Sequence, residues 1–219
     1  MDDSHIPLHR IATFVSHHTH NVRNGLNSID LEAALLQELS TDAETTSSLE
    51  RIRKQLRTLV LQLRTLSGQI HEPHPAPGPI SARVLFVIWR QKHAALLPDA
   101  PEVTWLDEVG EEKVNVDVEM MATVFRELLV NAALFSKGVP VTVSARSEAG
   151  QVVFEMSEPK AEAVDTQSWG LPFHTTRRGA YGLGLWSAHR LMAANHLTLE
   201  QQYHPETKCL TSRVVLPAV

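Results

Sequence analysis

Apolar residues between positions 49 and 70 recur at alternating spacings of three and four, the pattern of a helix that packs along one continuous seam. The members are Leu49, Ile52, Leu56, Leu59, Leu63, Leu66 and Ile70. A similar stripe precedes it, at Ile11, Val15, His18, Val22, Leu26, Ile29, Ala33 and Leu36. Thr41 and Glu44 match a capping box, so we predict a short loop between two antiparallel helices. One hairpin cannot bury both stripes alone, so the sequence predicts a dimeric four-helix bundle.

A proline-rich segment separates this hairpin from the rest of the chain. Residues 71–79 read HEPHPAPGP. Four prolines in nine residues cannot continue a helix and favour an extended linker. We therefore expect a helical hairpin over residues 1–72, a linker over 73–79 and a second domain over 80–219.

The second domain mixes two hydrophobic periods. Helical spacing predicts helices near residues 81–96, 118–135 and 182–194. Alternating patterns predict strands at 141–147, 151–157, 197–203 and 211–216. The predicted fold class is therefore α+β: an N-terminal helical hairpin followed by an α/β sandwich, in which helices cover one face of a sheet.

Composition excludes several functional classes. The net charge of −5 argues against general nucleic-acid binding, which needs a basic face. No apolar run approaches the ~20 residues of a membrane span, and the polar N-terminus MDDSHIPLHR has no signal-peptide core. The single cysteine, Cys209, excludes an intramolecular disulfide and fits a reducing compartment. We expect a cytoplasmic protein that acts on neither membranes nor nucleic acids.

A glycine-rich segment, PFHTTRRGAYGLGL at residues 172–185, precedes the last predicted helix. Its glycines, Gly179, Gly182 and Gly184, follow two basic residues, Arg177 and Arg178. Helix N-termini present free backbone N–H groups, and glycine lets the backbone come close to a phosphate. The segment predicts a phosphate-binding loop, although a flexible turn before a helix would have a similar composition.

His20 lies on the polar side of the first predicted helix. It is two positions from both His18 and Val22, and so about 200° from the apolar stripe. It shares its face with His17, Asn24 and Asn27. A solvated imidazole is partly neutral near pH 7 and can act as a nucleophile. The alternatives are an ordinary polar surface and a metal site with His17, for which no third ligand stands at a suitable spacing.

Two polar residues, Glu127 and Asn131, interrupt the apolar helix FRELLVNAALFS at 125–136. They are four positions apart and so share one helix face. Polar groups in apolar surroundings are costly unless they are used. An amide oxygen suits Mg²⁺, and a carboxylate could orient a metal-bound water or act as a base. A surface glutamate and a hydrogen-bonded asparagine are the structural alternative.

These segments occur in the order found in the transmitter region of two-component sensor histidine kinases, which the chain resembles from about residue 10 to Pro217. HNVRNGL at 20–26, ELLVNAALFS at 127–136, LPFHTT at 171–176 and GAYGLGL at 179–185 resemble the phosphoacceptor, N, F and second glycine boxes. The resemblance implies a dimerisation and histidine-phosphotransfer domain followed by a Bergerat-type ATP-binding domain, as in Hsp90, gyrase B and MutL.

The resemblance also implies the chemistry of the hairpin. His20 would attack the γ-phosphate of ATP in line, and the phosphoryl group would pass to an aspartate on the receiver domain of a response regulator. Asn24 matches the position that orients a water for regulator dephosphorylation. The implied partners are this regulator and a second copy of the chain.

The implied nucleotide site lies in the second domain. ATP would bind between the helix of Glu127 and the glycine loop, and Asn131 would hold Mg²⁺. The amides of Gly182 and Gly184 would neutralise phosphate charge, with Gly179 in the same box. Arg177 or Arg178 could clamp the γ-phosphate, and Glu158 would stand for the aspartate that reads the adenine amino group.

The chain departs from the family pattern at two places. The first glycine box, Asp-x-Gly-x-Gly, is replaced by Glu158-Pro159-Lys160-Ala161-Glu162. The acidic residue that usually follows the phosphoacceptor is Asn21 here, and an amide is a poor base. Both departures affect transfer from ATP to histidine, and neither affects transfer from histidine to aspartate.

Three functions therefore remain open from the sequence. The first is a sensor-less ATP-dependent histidine kinase, since only about ten residues precede the first predicted helix and any signal would come from a partner. The second is an ATP-independent histidine phosphotransferase with a degenerate nucleotide domain. The third is a non-catalytic dimeric scaffold that binds ATP only as a structural ligand.

Overall fold

The computed structural model describes residues 8–94, 102–135, 139–166, 169–175 and 181–219. Contacts within the chain divide it into two compact units, Met1–Glu72 and Pro73–Val219. In the part of the chain that the structure describes, the first unit is a pair of helices, and the second combines helices with two sheets.

The first unit is a helical hairpin of α1 (Leu8–Leu39) and α2 (Ala43–Ile70), which pack against each other. Asp42, and not Thr41, is the N-cap of α2: its backbone is extended and its Oδ2 accepts a hydrogen bond from the Thr45 amide at 2.8 Å. A carboxylate here satisfies a free amide and also faces the positive end of the helix dipole, which is why the aspartate caps in preference to the threonine.

The seam between α1 and α2 uses only part of the predicted stripes. Ala33 and Leu56 are buried in it, and Thr19 is buried where the stripe predicted its neighbour His18, which is exposed. Other members of the stripes remain exposed on both helices: Ile11, Ile29, Leu36, Ile52 and Leu59. The hairpin thus has one apolar seam and an additional exposed apolar flank.

The second unit has a five-stranded sheet in the order β2-β4-β5-β7-β6 and a two-stranded sheet of β1 and β3. The strands are β1 (Gly78–Ser81), β2 (Val103–Glu108), β3 (Lys113–Val116), β4 (Val141–Glu148), β5 (Gln151–Pro159), β6 (Leu199–His204) and β7 (Cys209–Pro217). β2 pairs parallel with β4, and the other pairs are antiparallel. The sequence patterns missed the three short strands β1, β2 and β3, whose pairing partners are distant in the chain.

Three helices, α3 (Ala82–Ala94), α4 (Val118–Phe135) and α5 (Gly184–Ala194), complete this unit. Their apolar residues share one core with alternate residues of the central strands, such as Val152, Phe154 and Met156 of β5. Because alternate residues of a strand point to one face, the helices cover one face of the sheet. Trp89 stacks on Phe125 in this core, with ring centroids 4.1 Å apart.

The observed architecture confirms the predicted fold class of a helical hairpin followed by an α/β sandwich. Within the described residues, no helix is both long enough and apolar enough to cross a membrane.

Candidate functional site

The imidazole of His20 is exposed on α1. Its Nδ1 lies 3.4 Å from Nδ2 of Asn24, one helical turn further along, so the amide can orient the ring through a long hydrogen bond. His17, Asn24 and Asn27 are also exposed. Within the described ranges, no group of three His, Cys, Asp or Glu side chains could hold a metal ion, so the structure offers no metal site around His17 and His20.

On α4, Glu127 and Asn131 lie in different environments. The Glu127 side chain is largely buried, and its Oε1 accepts a hydrogen bond from Nη2 of Arg126 at 2.8 Å. The Nδ2 atom of Asn131 is buried, and no described residue forms a hydrogen bond with it. A buried amide without a partner is costly, so this atom is suited to a ligand that supplies the missing hydrogen bond.

A hydrogen bond between helix ends determines how α5 lies along α4. Oδ1 of Asn195, just after α5, accepts from the amide of Asp117, just before α4, at 2.8 Å. Because the two helices pack against each other, the start of α5 at Gly184 lies toward the end of α4 that carries Asn131. The structure therefore brings the second glycine box and the N box to the same end of this helix pair.

Gly182 occupies a position that no other residue could take without strain. Its φ is +64°, and a Cβ atom here would lie 2.7 Å from the backbone oxygen of His174 and 2.7 Å from the carbonyl carbon of Phe173. Gly184 begins α5 two residues later, and Leu183 before it has no polar side chain to cap the helix. The first amides of α5 therefore have no side-chain cap, and free amides at a helix start can bind an anion such as a phosphate. Arg177, Arg178 and Gly179 lie outside the described residues.

Glu158 lies at the end of β5, in phase with the residues that point toward the helices. Its carboxylate accepts a hydrogen bond from Nζ of Lys160 at 2.7 Å, and the two side chains are only 4% and 8% exposed. Burial raises the pKa of the Glu158 carboxyl above its usual value of 4.5, although the Lys160 ammonium lowers it in part. The position predicted to read adenine therefore already has a cationic partner.

The sequence patterns did not predict the ion pair that Lys160 forms with Glu158. In the sequence, Lys160 stands at a position where the family motif has a glycine. Opposite charges two positions apart share one face of a strand, and this spacing is the signal that could have revealed the pair. The extension of β5 through Pro159, paired with Cys209, places both side chains on the helix-facing side.

The two ends of the candidate nucleotide site differ in their fit to ATP and Mg²⁺. The phosphate end has groups that could meet nucleotide oxygens, since Nδ2 of Asn131 is a buried donor with no partner among the described residues and the first amides of α5 have no side-chain cap. The base end does not fit as it stands, because Oε2 of the Glu158 carboxylate, which would accept from the adenine amine, is paired with the Lys160 ammonium and the pair is buried. As a whole, the described residues do not form a complete ATP site.

Comparison with known proteins places this fold. No family model matches the sequence, and no curated protein matches it. Among solved structures, full-length ShkA in complex with AMPPNP is similar, with a TM-score of 0.76 and 18% identity over 94% of this chain and 46% of that one. The chain thus spans about half of the length of ShkA.

Two further histidine kinase structures are similar. The histidine kinase AdeS of Acinetobacter baumannii has a TM-score of 0.56 and 16% identity, over 91% of this chain and 94% of that one. The catalytic domain of the histidine kinase ThkA has a TM-score of 0.54 and 11% identity, over 65% of this chain and 95% of that one. The chain therefore has the fold of a histidine kinase transmitter region.

Proposed function

We propose that the chain is a two-component phosphorelay protein that carries a phosphoryl group on His20 and passes it to an aspartate of a response-regulator receiver domain. The observation that carries this proposal is the exposed imidazole of His20 on the hairpin, because phosphoryl transfer between proteins needs a nucleophile that a partner can reach. The likeness to ShkA, which was solved with AMPPNP, extends over nearly the whole chain and supports the histidine kinase fold that this function uses.

The proposed transfer of the phosphoryl group is reversible, with one bond to phosphorus formed and one broken in each direction. When the chain is loaded, a ring nitrogen of His20 attacks the phosphorus of a receiver's aspartyl phosphate, a P–N bond forms, and the aspartate leaves as a carboxylate. When the chain is discharged, a second receiver's carboxylate attacks and the neutral imidazole leaves. Asn24, at 3.4 Å, orients the ring, and its exposed amide also suits a role in water positioning during regulator dephosphorylation.

The phosphoryl donor that the geometry supports best is another phosphorylated protein. The Lys160 ammonium already pairs with Oε2 of the buried Glu158 carboxylate, and Asn21 supplies no carboxylate beside His20. This choice favours an ATP-independent histidine phosphotransferase. It keeps the fold of the ATP-binding domain as a structural element.

A second candidate is the ATP-dependent histidine kinase. Nδ2 of Asn131, a buried donor with no partner among the described residues, and the uncapped start of α5 favour it. In that case Asn131 would hold Mg²⁺ with ATP oxygens, Glu127 would orient water or take a proton, and the start of α5 at Gly184 would face the phosphates. ATP would supply the transferable phosphoryl group.

We also propose that the chain forms a homodimer through its hairpin. The exposed apolar flank of α1 and α2 includes Ile29, Leu36, Ile52 and Leu59, and a second copy would cover it in a four-helix bundle. Sedimentation of the full chain should give the mass of two copies, and the mass of one copy would contradict this proposal.

The phosphotransfer proposal is tested by labelling. The full chain is incubated in parallel with a ³²P-phosphorylated receiver domain and with γ-³²P-ATP, and acid-labile label on the chain is measured. We expect label from the receiver and none from ATP. His20→Ala should lower receiver-derived label at least about 100-fold, since the nucleophile is lost.

His17→Ala is the matched control, because His17 is exposed on the same helix one turn earlier, and it should retain the label. Label that survives His20→Ala would contradict the choice of histidine. Label from ATP on His20 would replace the phosphotransferase by the kinase, and no label from any donor would leave the scaffold function.

A further inference from the structure

We propose that Lys160 is a specificity-determining residue that occupies the base-recognition carboxylate of the sandwich, so that removal of its side chain allows an adenine nucleotide to bind. This inference rests on the proposed function, in which the sandwich has the ATPase fold without using ATP. The new element is the cause: the Lys160 side chain alone prevents adenine from binding, and the rest of the site is still able to bind a nucleotide.

The geometry of the pair carries the first step. Nζ of Lys160 lies 2.7 Å from Oε2 of Glu158, and the side chains are 8% and 4% exposed. Glu158 is in phase with the residues of β5 that face the helices, and Lys160, the first residue after β5, meets it there. An adenine amine could take the position at Oε2 only if the Lys160 ammonium moved away.

The backbone opposes such a movement. Pro159 pairs with Cys209 at the end of the β5–β7 ladder, and the amide of Lys160 donates to the carbonyl of Lys208 at 2.8 Å. These contacts hold the backbone of Lys160 in line with the strand. The main chain is therefore fixed here, and the ammonium could leave only by rotation of the side chain's own bonds, which would break the ion pair with Glu158.

The energetics of exchange also favour the lysine. A hydrogen bond between an ammonium and a carboxylate is roughly twice as strong as one between neutral groups. The neutral adenine amine would replace this bond with a weaker one and would leave a buried cation unpaired, which is costly. Within the described residues, Glu158 is the one carboxylate within ion-pair distance of Lys160, so the displaced ammonium would have no alternative partner nearby.

The phosphate end makes the proposal specific to the base. Nδ2 of Asn131 is a buried donor without a described partner, and the first amides of α5 have no side-chain cap. If the whole site had been lost, removal of one lysine would change nothing. If only the base end is closed, the remaining contacts should bind a nucleotide once that end is opened.

Calorimetric titration of the full chain with AMPPNP and Mg²⁺ tests this inference. We expect no measurable binding to the wild type and at least about tenfold tighter binding to Lys160→Gly. Lys160→Arg keeps a cation beside Glu158 and should bind no better than the wild type. Lys160→Gly combined with Glu158→Ala should lose the gain, because the gained contact runs through this carboxylate.

Lys160→Ser is a second variant that removes the ammonium with less backbone freedom than glycine, and thermal melting shows that each variant is folded. A folded Lys160→Gly or Lys160→Ser protein that binds no AMPPNP would overturn the inference, as would tight binding by the wild type. Receiver-derived label on wild-type His20 is measured separately. Label without a gain in binding refutes only the role of Lys160, whereas a gain in binding without label refutes only the phosphotransfer function.

Discussion

The hairpin and the sandwich differ in how far their functional side chains are exposed to solvent. The hairpin leaves His20 exposed and also exposes large apolar side chains along α1 and α2. The sandwich buries its core almost completely, including Trp89 and Phe125, and closes Glu158 with an internal cation. The sandwich also exposes large apolar side chains, such as Leu171 and Phe173, so the difference between the two units lies in their functional groups and in the depth of their cores.

This difference separates two activities that the histidine kinase fold can combine. Transfer between proteins needs an accessible nucleophile, and the hairpin provides one in His20. Transfer from a nucleotide needs an open site with free acceptors, and at the base end of the sandwich the Lys160 ammonium already pairs with Oε2 of the buried Glu158. Phosphotransfer without nucleotide chemistry is therefore consistent with both units.

The largest expected effect would come from the core of the sandwich. Trp89 is almost completely buried and stacks on Phe125, so Trp89→Ala should lower the free energy of unfolding of this unit by about 3–5 kcal/mol. Urea denaturation followed by circular dichroism measures this loss. If the hairpin is a separate unit, its own unfolding transition should not move.

Val87→Ala is the matched control, because Val87 lies on the same helix and is exposed. Its effect should stay below about 0.5 kcal/mol. Equal losses from the two substitutions would contradict the contrast between a closed core and an open surface.

An intermediate effect is expected at Gly182. Gly182→Ala would place a Cβ atom 2.7 Å from the His174 oxygen at a φ of +64°, and should cost about 1–3 kcal/mol of stability. Gly68→Ala in α2 of the hairpin is the control, since no atom lies within 4 Å of the added Cβ, and it should gain up to about 1 kcal/mol. Thermal melting compares the two, and a stabilising Gly182→Ala would show that the loop backbone is not held in this conformation.

The smallest expected effect is a pH dependence at Glu158. The pKa of its carboxyl is raised in the folded state, mainly by burial. The folded protein therefore binds this proton more tightly than the unfolded chain does. The stability from this group is present below its usual pKa of 4.5 and is lost as pH rises through the raised value.

Glu158→Gln removes this titration. Denaturation of both proteins between about pH 4.5 and 7 should show that the wild type loses stability relative to the variant as pH rises. A stability difference that is independent of pH, or that changes in the opposite direction, would contradict a buried carboxyl with a raised pKa. It would also weaken the contrast between the closed sandwich and the open hairpin.

Much of the fold could be read from local patterns, since periodicity depends only on neighbours in the chain. The long helices and the strands β4, β5, β6 and β7 followed from it, and the proline-rich segment at 71–79 lies beside the division after Glu72. The strands β1, β2 and β3 did not follow, because short strands are stabilised by distant partners and not by their own pattern. The burial of Thr19 in place of His18 also depended on how α2 meets α1.

The sequence by itself determined which chemical groups the chain carries and in what order: an exposed histidine, an N box, and a glycine loop before a helix. It showed that the first glycine box was replaced, and it left the consequence open. Only the tertiary structure decided that Glu158 and Lys160 meet as a buried pair, while Nδ2 of Asn131 has no partner among the described residues. The physical reason is that residue spacing is set along the chain, whereas burial and partner choice are set by the elements that pack around each side chain.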